Sequence, residues 1–206
     1  SEQESNSKVS GKNLPVRITP YYASLLDPSN SAQPIRRTVV PVASELILSP
    51  GESEDPLSET NDSPVPLIVH RYPDRVLFLA TNFCSTFCRY CTRTHMVSQQ
   101  DKVHSTQAEW DRALDYIRQH HEVRDVLISG GDPLTLSDNR IEYLLSKLHE
   151  IKHVEFIRIG TKVPVVMPQR ITHDLTRMLK KYHPLFMSLH FTHPNEVTPE
   201  VKDACC

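Results

Sequence analysis

From Tyr72 onward the chain alternates short apolar runs with longer stretches whose apolar residues recur at helical spacing. Residues 76–81 (VLFLAT) are almost continuously apolar, which predicts a strand buried on both faces. Residues 106–120 place apolar side chains three and four apart and predict a helix, with Thr106 as N-cap and Glu109 completing a capping box. Residues 125–129 predict a second strand and 138–150 a second helix capped by Asp138. Residues 154–159 predict a third strand, 172–182 a third helix capped by Thr172, and 185–190 a fourth strand. Thr198, with Pro199 at the first helical position, opens a fourth helix. Four strand–helix alternations are the pattern of parallel βα units. The expected fold class is therefore α/β, either a partial parallel (β/α) barrel or a sheet lacking later strands. In such folds the chemistry gathers in the loops that follow the strands.

Before Tyr72 the pattern is irregular. Ten of the sixteen prolines precede residue 75. A short helical piece is expected within 16–27, with Pro20 in its first turn, and Pro28, Pro34, Pro41 and Pro50 then forbid long elements. Residues 49–66 are acidic and rich in turn formers. Residues 1–13 read as disordered, 14–69 as an arm wrapping the domain, and 70–206 as the core. The start without Met and the end at Cys205-Cys206, just as a helix begins, read as a piece of a longer chain.

Hydrophobic residues make up 38%, enough to fill one core, and the net charge of −2 argues against a strongly basic nucleic-acid surface. The longest apolar runs reach about five residues against the roughly 18 needed to span a bilayer, so no membrane segment is expected. Five cysteines without a signal peptide do not suit a secreted disulfide framework. A reducing compartment, the cytoplasm or an organelle matrix, is the natural setting.

Cys84, Cys88 and Cys91 form a CxxxCxxC loop directly after the first predicted strand, with Tyr90 before the last cysteine. Three soft thiolates suit an iron–sulfur cluster or zinc. A [4Fe–4S] cluster normally takes four thiolates, so three leave one iron open. Zinc would want a second pair that the sequence lacks. The loop after the second strand holds Gly130-Gly131-Asp132, two of only five glycines, and reads as an ordinary turn or as close backbone approach to a ligand. The third loop runs from Gly160 through Lys162, Pro164, Pro168, Gln169 and Arg170. Arg158 lies on its strand and needs a partner, either an anion in the barrel or a helix carboxylate. His190 ends the fourth strand, to touch a cofactor or pack in the core. Arg71, Tyr72 and Arg75 precede the first strand and offer either anion recognition or a solvated turn. Arg93, two residues past Cys91, is placed to take a carboxylate or to balance an anionic cluster. His95, His104, His120 and His121 read as surface residues, Trp110 as core, and Lys180 and Lys181 as exposed charge.

The run RYPDRVLFLATNFCSTFCRYCTRTHMV resembles the lysine 2,3-aminomutase family of radical S-adenosylmethionine (SAM) enzymes. So do VRITPYYASLL, DPLSETNDSPVP, VRDVLISGGDPLTLSD, VEFIRIGTKVPVVMPQRIT, KKYHP and HFTHPNEVT, which together span nearly the whole chain. CxxxCxxC alone marks the superfamily; RYPDR, CTR and HPNE narrow it. The resemblance implies a partial barrel of radical SAM type, of which the first four β/α units are present, and a [4Fe–4S] cluster on Cys84, Cys88 and Cys91. It implies SAM contacts at Tyr90, Gly130, Gly131 and Asp132. Pyridoxal 5′-phosphate (PLP) contacts are implied at Arg71, Tyr72, Arg75 and His190, and the substrate carboxylate at Arg93. The implied reaction is an isomerisation: the amino group of L-lysine moves from C2 to C3, started by a 5′-deoxyadenosyl radical and assisted by PLP.

A free amino acid would be the substrate and a flavodoxin- or ferredoxin-like protein the external electron donor. The full-length protein would be a homo-oligomer. The family's Schiff-base lysine lies beyond residue 206, so the catalytic lysine is not named and this piece alone is expected to be inactive. Ser98 stands where the family has Gly. The alternatives are a glutamate 2,3-aminomutase, the related lysine aminomutase that serves translation-factor modification, a non-catalytic iron–sulfur electron-transfer module, and a zinc-stabilised domain. No role is read for Cys205 and Cys206.

Overall fold

A computed structural model describes residues 14–47, 50–97 and 105–206. The expectations for residues 1–13, Ser98 and His104 lie outside them. Five strands form one open sheet in the order β1-β2-β3-β4-β5. They are β1 (Ile68–Tyr72), β2 (Arg75–Thr81), β3 (Asp125–Gly130), β4 (Phe156–Thr161) and β5 (Leu185–Leu189). β2 to β5 run parallel and β1 is antiparallel to β2. The helices are α1 (Pro20–Ser24), α2 (Pro34–Arg37), α3 (Thr94–Val97), α4 (Gln107–Gln119), α5 (Asp138–His149), α6 (Val163–Val166), α7 (His173–Leu179) and α8 (Pro199–Cys205). The four predicted β/α units are thus β2–α4, β3–α5, β4–α7 and β5–α8, in an unclosed α/β sheet.

Burial alternates along the strands. Val76, Phe78 and Ala80 of β2, Val126 and Ile128 of β3, and Ile157 and Ile159 of β4 are buried. They pack against Trp110, Ala113, Leu114 and Ile117 of α4, Ile141, Leu144, Leu145 and Leu148 of α5, and Leu175 and Met178 of α7. The residues between them, Leu77, Leu79, Leu127, Ser129, Arg158 and Gly160, are only half-buried. This corrects the expectation that residues 76–81 are buried on both faces. Helices cover one face, and the apolar run serves a second face that the described residues leave open. Trp110 lies in the core as expected, and its indole Nε1 donates to the Ala80 carbonyl at 3.1 Å. Trp110→Phe keeps most of the packing and loses that bond; thermal or urea denaturation should show a loss of about 1–2 kcal/mol.

The caps explain where helices begin. Thr106 accepts from the Glu109 N–H while Glu109 returns a bond to the Thr106 N–H, the expected capping box. Thr172 caps α7 and Thr198 caps α8 ahead of Pro199, also as expected. Three boundaries differ. Ser137, not Asp138, occupies the N-cap of α5; Asp138 is the first helical residue and pairs with Arg170 at 2.6 Å. The third parallel strand starts at Phe156 because Val154 is still in the preceding turn, its N–H bonded to the Ile151 carbonyl. The helix predicted over 172–182 is α-helical only to Leu179 and tightens to a 3-10 turn over Lys180–Tyr182.

Two further corrections concern charge. Arg158 pairs not with a helix carboxylate but with Asp125 on the adjacent strand, through two bonds of 2.9 and 2.7 Å. His120 is not isolated: its ring stacks on Tyr116 at 3.8 Å and bonds the Tyr116 carbonyl, while His95 bonds the Glu54 carbonyl at 2.9 Å. Lys180 and Lys181 are exposed as expected. Among the described residues no helix is long and apolar enough to cross a membrane.

Candidate active site at the carboxyl ends of the strands

The cysteine loop leaves the end of β2, and the arm braces it from outside. The Arg17 guanidinium donates to the Cys84 carbonyl at 3.0 Å and lies 4.5 Å from the ring centres of both Phe83 and Phe87. The Phe87 N–H donates to the Arg17 carbonyl, and the Arg89 N–H to that of Thr38. Arg89 reaches back to the carbonyls of Leu14 and Pro15 and pairs with Glu45. Leu14, Phe87 and Val97 form a small apolar cluster against which Cys84 and Cys91 pack.

All three loop cysteines are half-buried free thiols. Burial pushes the Cys84 thiol up, and the charges of Asp132, Cys91 and Cys88 add to it. Burial also raises Cys88, opposed by a hydrogen bond from Tyr90 and by the nearby Lys162 charge. Cys84 and Cys88 therefore need a cationic partner to become thiolates at neutral pH. A single zinc ion holds its sulfurs about 2.3 Å from the metal. Among the described residues no three His, Cys, Asp or Glu side chains gather to hold one ion. Three soft thiols in one loop suit an iron–sulfur cluster or zinc.

Gly130 and Gly131 fix the neighbouring loop by close backbone contact. Gly130 has φ +112°, a conformation that L side chains rarely adopt. The Gly131 N–H donates to the Thr81 carbonyl at 2.5 Å and the Asp132 N–H to that of Phe83 at 2.7 Å. A Cβ on Gly131 would lie 2.6 Å from the Phe83 carbonyl carbon. The glycine pair thus locks the turn against the residue preceding Cys84. The Asp132 carboxylate is buried and accepts from the Thr161 hydroxyl and from the N–H groups of Leu134, Lys162 and Val163. Burial raises its carboxyl, against the pull of those bonds. Asp132 therefore ties the loop after β3 to the loop after β4.

Tyr90 and His190 meet edge to face, 5.7 Å between ring centres. Both are exposed at this end of the sheet, so His190 is not a core histidine. Burial lowers its pKa, and Lys162 lowers it further. Tyr72 and Arg75 lie together elsewhere, at the β1–β2 hairpin: the Arg75 guanidinium is 5.5 Å from the Tyr72 ring and pairs with Asp74, while Arg71 turns to the arm and pairs with Asp62. β1 was not foreseen, and Tyr72 pairs with Arg75 at the start of β2, the opposite end from the cysteine loop. The structure does not bring His190 to this group. Arg93 is held bidentately by Glu59, at 2.7 and 2.6 Å.

A buried network went unread in the sequence. Glu196 has no exposed surface and Lys162 is nearly as buried. The Glu196 carboxylate accepts from the Lys162 ammonium at 2.9 Å, the Tyr22 hydroxyl at 2.5 Å, the Thr192 hydroxyl at 2.8 Å, and the N–H groups of Thr192 and His193. It joins α1, the loop after β4 and the loop after β5. The available signal was a lone lysine directly before the apolar VPVVMP run.

A mostly parallel sheet with a three-thiol loop at the carboxyl end of its first parallel strand defines an α/β protein with soft ligands where the chemistry of such folds gathers. Residues 78–205 match the model of the Radical SAM superfamily, and the chain belongs to that superfamily. Over 204 residues it is 51% identical to an L-lysine 2,3-aminomutase of Clostridium subterminale and 52% identical to that of Acetoanaerobium sticklandii, in each case covering 99% of this chain and 49% of the relative. A glutamate 2,3-aminomutase of Clostridioides difficile is 46% identical over 188 residues, covering 91% of this chain and 44% of the relative. The chain spans about half the length of the curated relatives it matches.

Proposed function

We propose that the protein is an amino acid 2,3-aminomutase acting on L-lysine. The cysteine loop carries the reading, with its three half-buried thiols at the end of β2 braced by the arm. The similarity to L-lysine 2,3-aminomutases supports the substrate, and the glutamate 2,3-aminomutase makes glutamate the second amino acid to assay. When bound, a [4Fe–4S] cluster with SAM supplies radical initiation, and PLP supplies electron delocalisation for the amine shift.

The chain's own residues bind and orient. Cys84, Cys88 and Cys91 are the cluster ligands, and the packing of Leu14, Phe87 and Val97 keeps water from two of them. Tyr90 and His190 offer an aromatic wall beside the loop, suited to an adenine ring. The Gly130-Gly131 turn, locked against Phe83, would set the loop that meets the adenosyl cofactor, and Asp132 ties that loop to the one after β4. The family resemblance, not proximity to the cysteine loop, assigns Arg71, Tyr72 and Arg75 to the phosphate of PLP. Arg93 takes the substrate carboxylate. The reaction needs an external one-electron donor, and we place the core at residues 70–206 with 14–69 as the wrapping arm.

The test is anaerobic iron–sulfur reconstitution of the full-length protein, followed by EPR of the reduced form with and without SAM. A reduced-cluster signal that shifts on adding SAM, followed by conversion of L-lysine to β-lysine with PLP, is the expected result. Substituting Cys88 with alanine should remove both signal and turnover. A cluster indifferent to SAM would point instead to a fourth protein ligand and an electron-transfer module.

A further inference from the structure

Residues 54–62 of the arm lie across the segment that follows the cysteine loop and hold it at several points. The Asp55 carboxylate accepts from the N–H groups of Glu59 and Thr60, at 3.0 and 2.9 Å, closing a turn that Ser58 enters in the left-handed conformation. Those bonds, that of Thr60 foremost, hold the Asp55 carboxyl at about 2. A 3-10 turn over Glu59–Asp62 follows. In such a turn residues three apart lie on one face, so Glu59 and Asp62 point the same way. Glu59 meets Arg93, and Asp62 meets Arg71 at 2.6 Å. The Leu57 carbonyl also accepts from Arg71, and the Glu54 carbonyl binds His95.

The two ion pairs differ in burial. Arg71 and Asp62 are well exposed, whereas the Arg93 and Glu59 side chains are 20% and 13% exposed. An exposed pair contributes little, so the weight falls on Glu59 and Arg93. Glu59 takes the Nε and one Nη2 hydrogen of the guanidinium. A guanidinium carries five N–H donors in one plane. Three remain, two of them along the Nη1–Nη2 edge, and among the described residues the Arg93 side chain makes hydrogen bonds only to Glu59. That edge accepts a second carboxylate bidentately.

We propose that Glu59 is a positioning residue: it fixes the plane of Arg93 so that the Nη1–Nη2 edge is presented to the carboxylate of the amino acid substrate. This rests on the reading of Arg93 as the carboxylate-binding arginine. Glu59 touches no reacting atom, and it acts by removing the rotational freedom of a long side chain before substrate arrives. Its carboxylate also keeps the arginine from standing as an uncompensated cation in a half-buried place.

The test uses the full-length, cluster-reconstituted protein with L-lysine and with its carboxamide. Glu59→Gln keeps size and shape but replaces one acceptor oxygen by a donor that opposes the guanidinium. KM for L-lysine should rise roughly 10- to 100-fold, as expected for losing a charge-assisted bond, while kcat changes less than about threefold and the SAM-induced EPR shift persists. Discrimination between lysine and its carboxamide should shrink by a similar factor, which a general loosening of the fold would not produce. Asp55→Asn, which loosens the turn without touching the pair, should raise KM in the same direction and decides the matter if Glu59→Gln yields no folded protein.

A KM unchanged in both variants overturns the proposal. So does a KM that falls in Glu59→Gln, because Glu59 would then be competing with the substrate. Arg93→Lys separates the two levels. If it leaves KM and carboxamide discrimination unchanged, the carboxylate role of Arg93 fails and the proposal with it. If it raises KM while both arm variants do not, only the role of Glu59 fails.

Discussion

Glu196→Gln is expected to lower stability by about 3–5 kcal/mol at neutral pH, because it leaves the Lys162 ammonium buried without its counter-charge. Burial works to raise the Glu196 carboxyl, but the bonds from Tyr22, Lys162 and Thr192 outweigh it and hold the group at about 2 against an ordinary 4.5. A carboxyl depressed on folding contributes stability that is fully present above its unfolded pKa. That contribution is lost as pH falls through the folded one. The window therefore runs from about pH 4.5 down to about pH 2, and the contribution within it is roughly 3 kcal/mol. Asp132 runs the other way. Burial raises its carboxyl, so its protonation in acid relieves the fold and its contribution falls as pH rises. Urea denaturation between pH 2 and 7 should show the wild-type midpoint dropping through the Glu196 window and a flatter profile in Glu196→Gln. Parallel profiles would mean that the acid sensitivity lies elsewhere. Lys162→Met should be comparably damaging, and a double variant with both charges removed should cost less than the sum of the two.

Gly131→Ala should displace the cysteine loop itself. The added Cβ would sit 2.6 Å from the carbonyl carbon and 2.8 Å from the nitrogen of Phe83, both backbone atoms that no rotamer change can move aside. Relief requires the Gly131 to Thr81 and Asp132 to Phe83 bonds to lengthen, and Phe83 is the residue before Cys84. The expected cost is about 1–3 kcal/mol in stability, together with a loss of at least half the iron bound after reconstitution. Gly160→Ala is the control. Its Cβ would meet Leu127 Cδ1 at 3.5 Å and Ser129 Oγ at 3.7 Å, ordinary contacts. Equal iron content in the two variants would show that the close approach at Gly131 does not hold the loop.

The regular half of the fold is readable because local and tertiary preferences agree there. Thr106 and Glu109 box α4 as their spacing demands, and the apolar stripe of α4 meets the alternate residues of β2. β1 is harder to read because its outer residues, His70, Arg71 and Tyr72, are polar or exposed and end at Pro73-Asp74, which mimics a plain turn. The cysteine loop declares itself through spacing within eight residues. Glu59 and Glu196 do not. Glu59 finds Arg93 across 34 residues and Glu196 finds Tyr22 across 174, so their partners depend on how the arm is laid down. Asp132 shows the reverse case: the GGD run is visible in sequence, but the carboxylate's buried partners, Thr161 and Val163, lie one strand further on.

The bonds from the arm to the cysteine loop have a kinetic meaning. Arg17 and Cys84 are 67 residues apart, Arg89 and Leu14 are 75, and closing such separations precedes any gain from the contact. The capped helices α4 and α5 and their adjacent parallel strands are local units that form early. The loop acquires its brace only when the arm folds back onto a sheet that follows it in the chain. Ordering of the three thiols should thus come late in folding, after the strands and helices that the arm must reach.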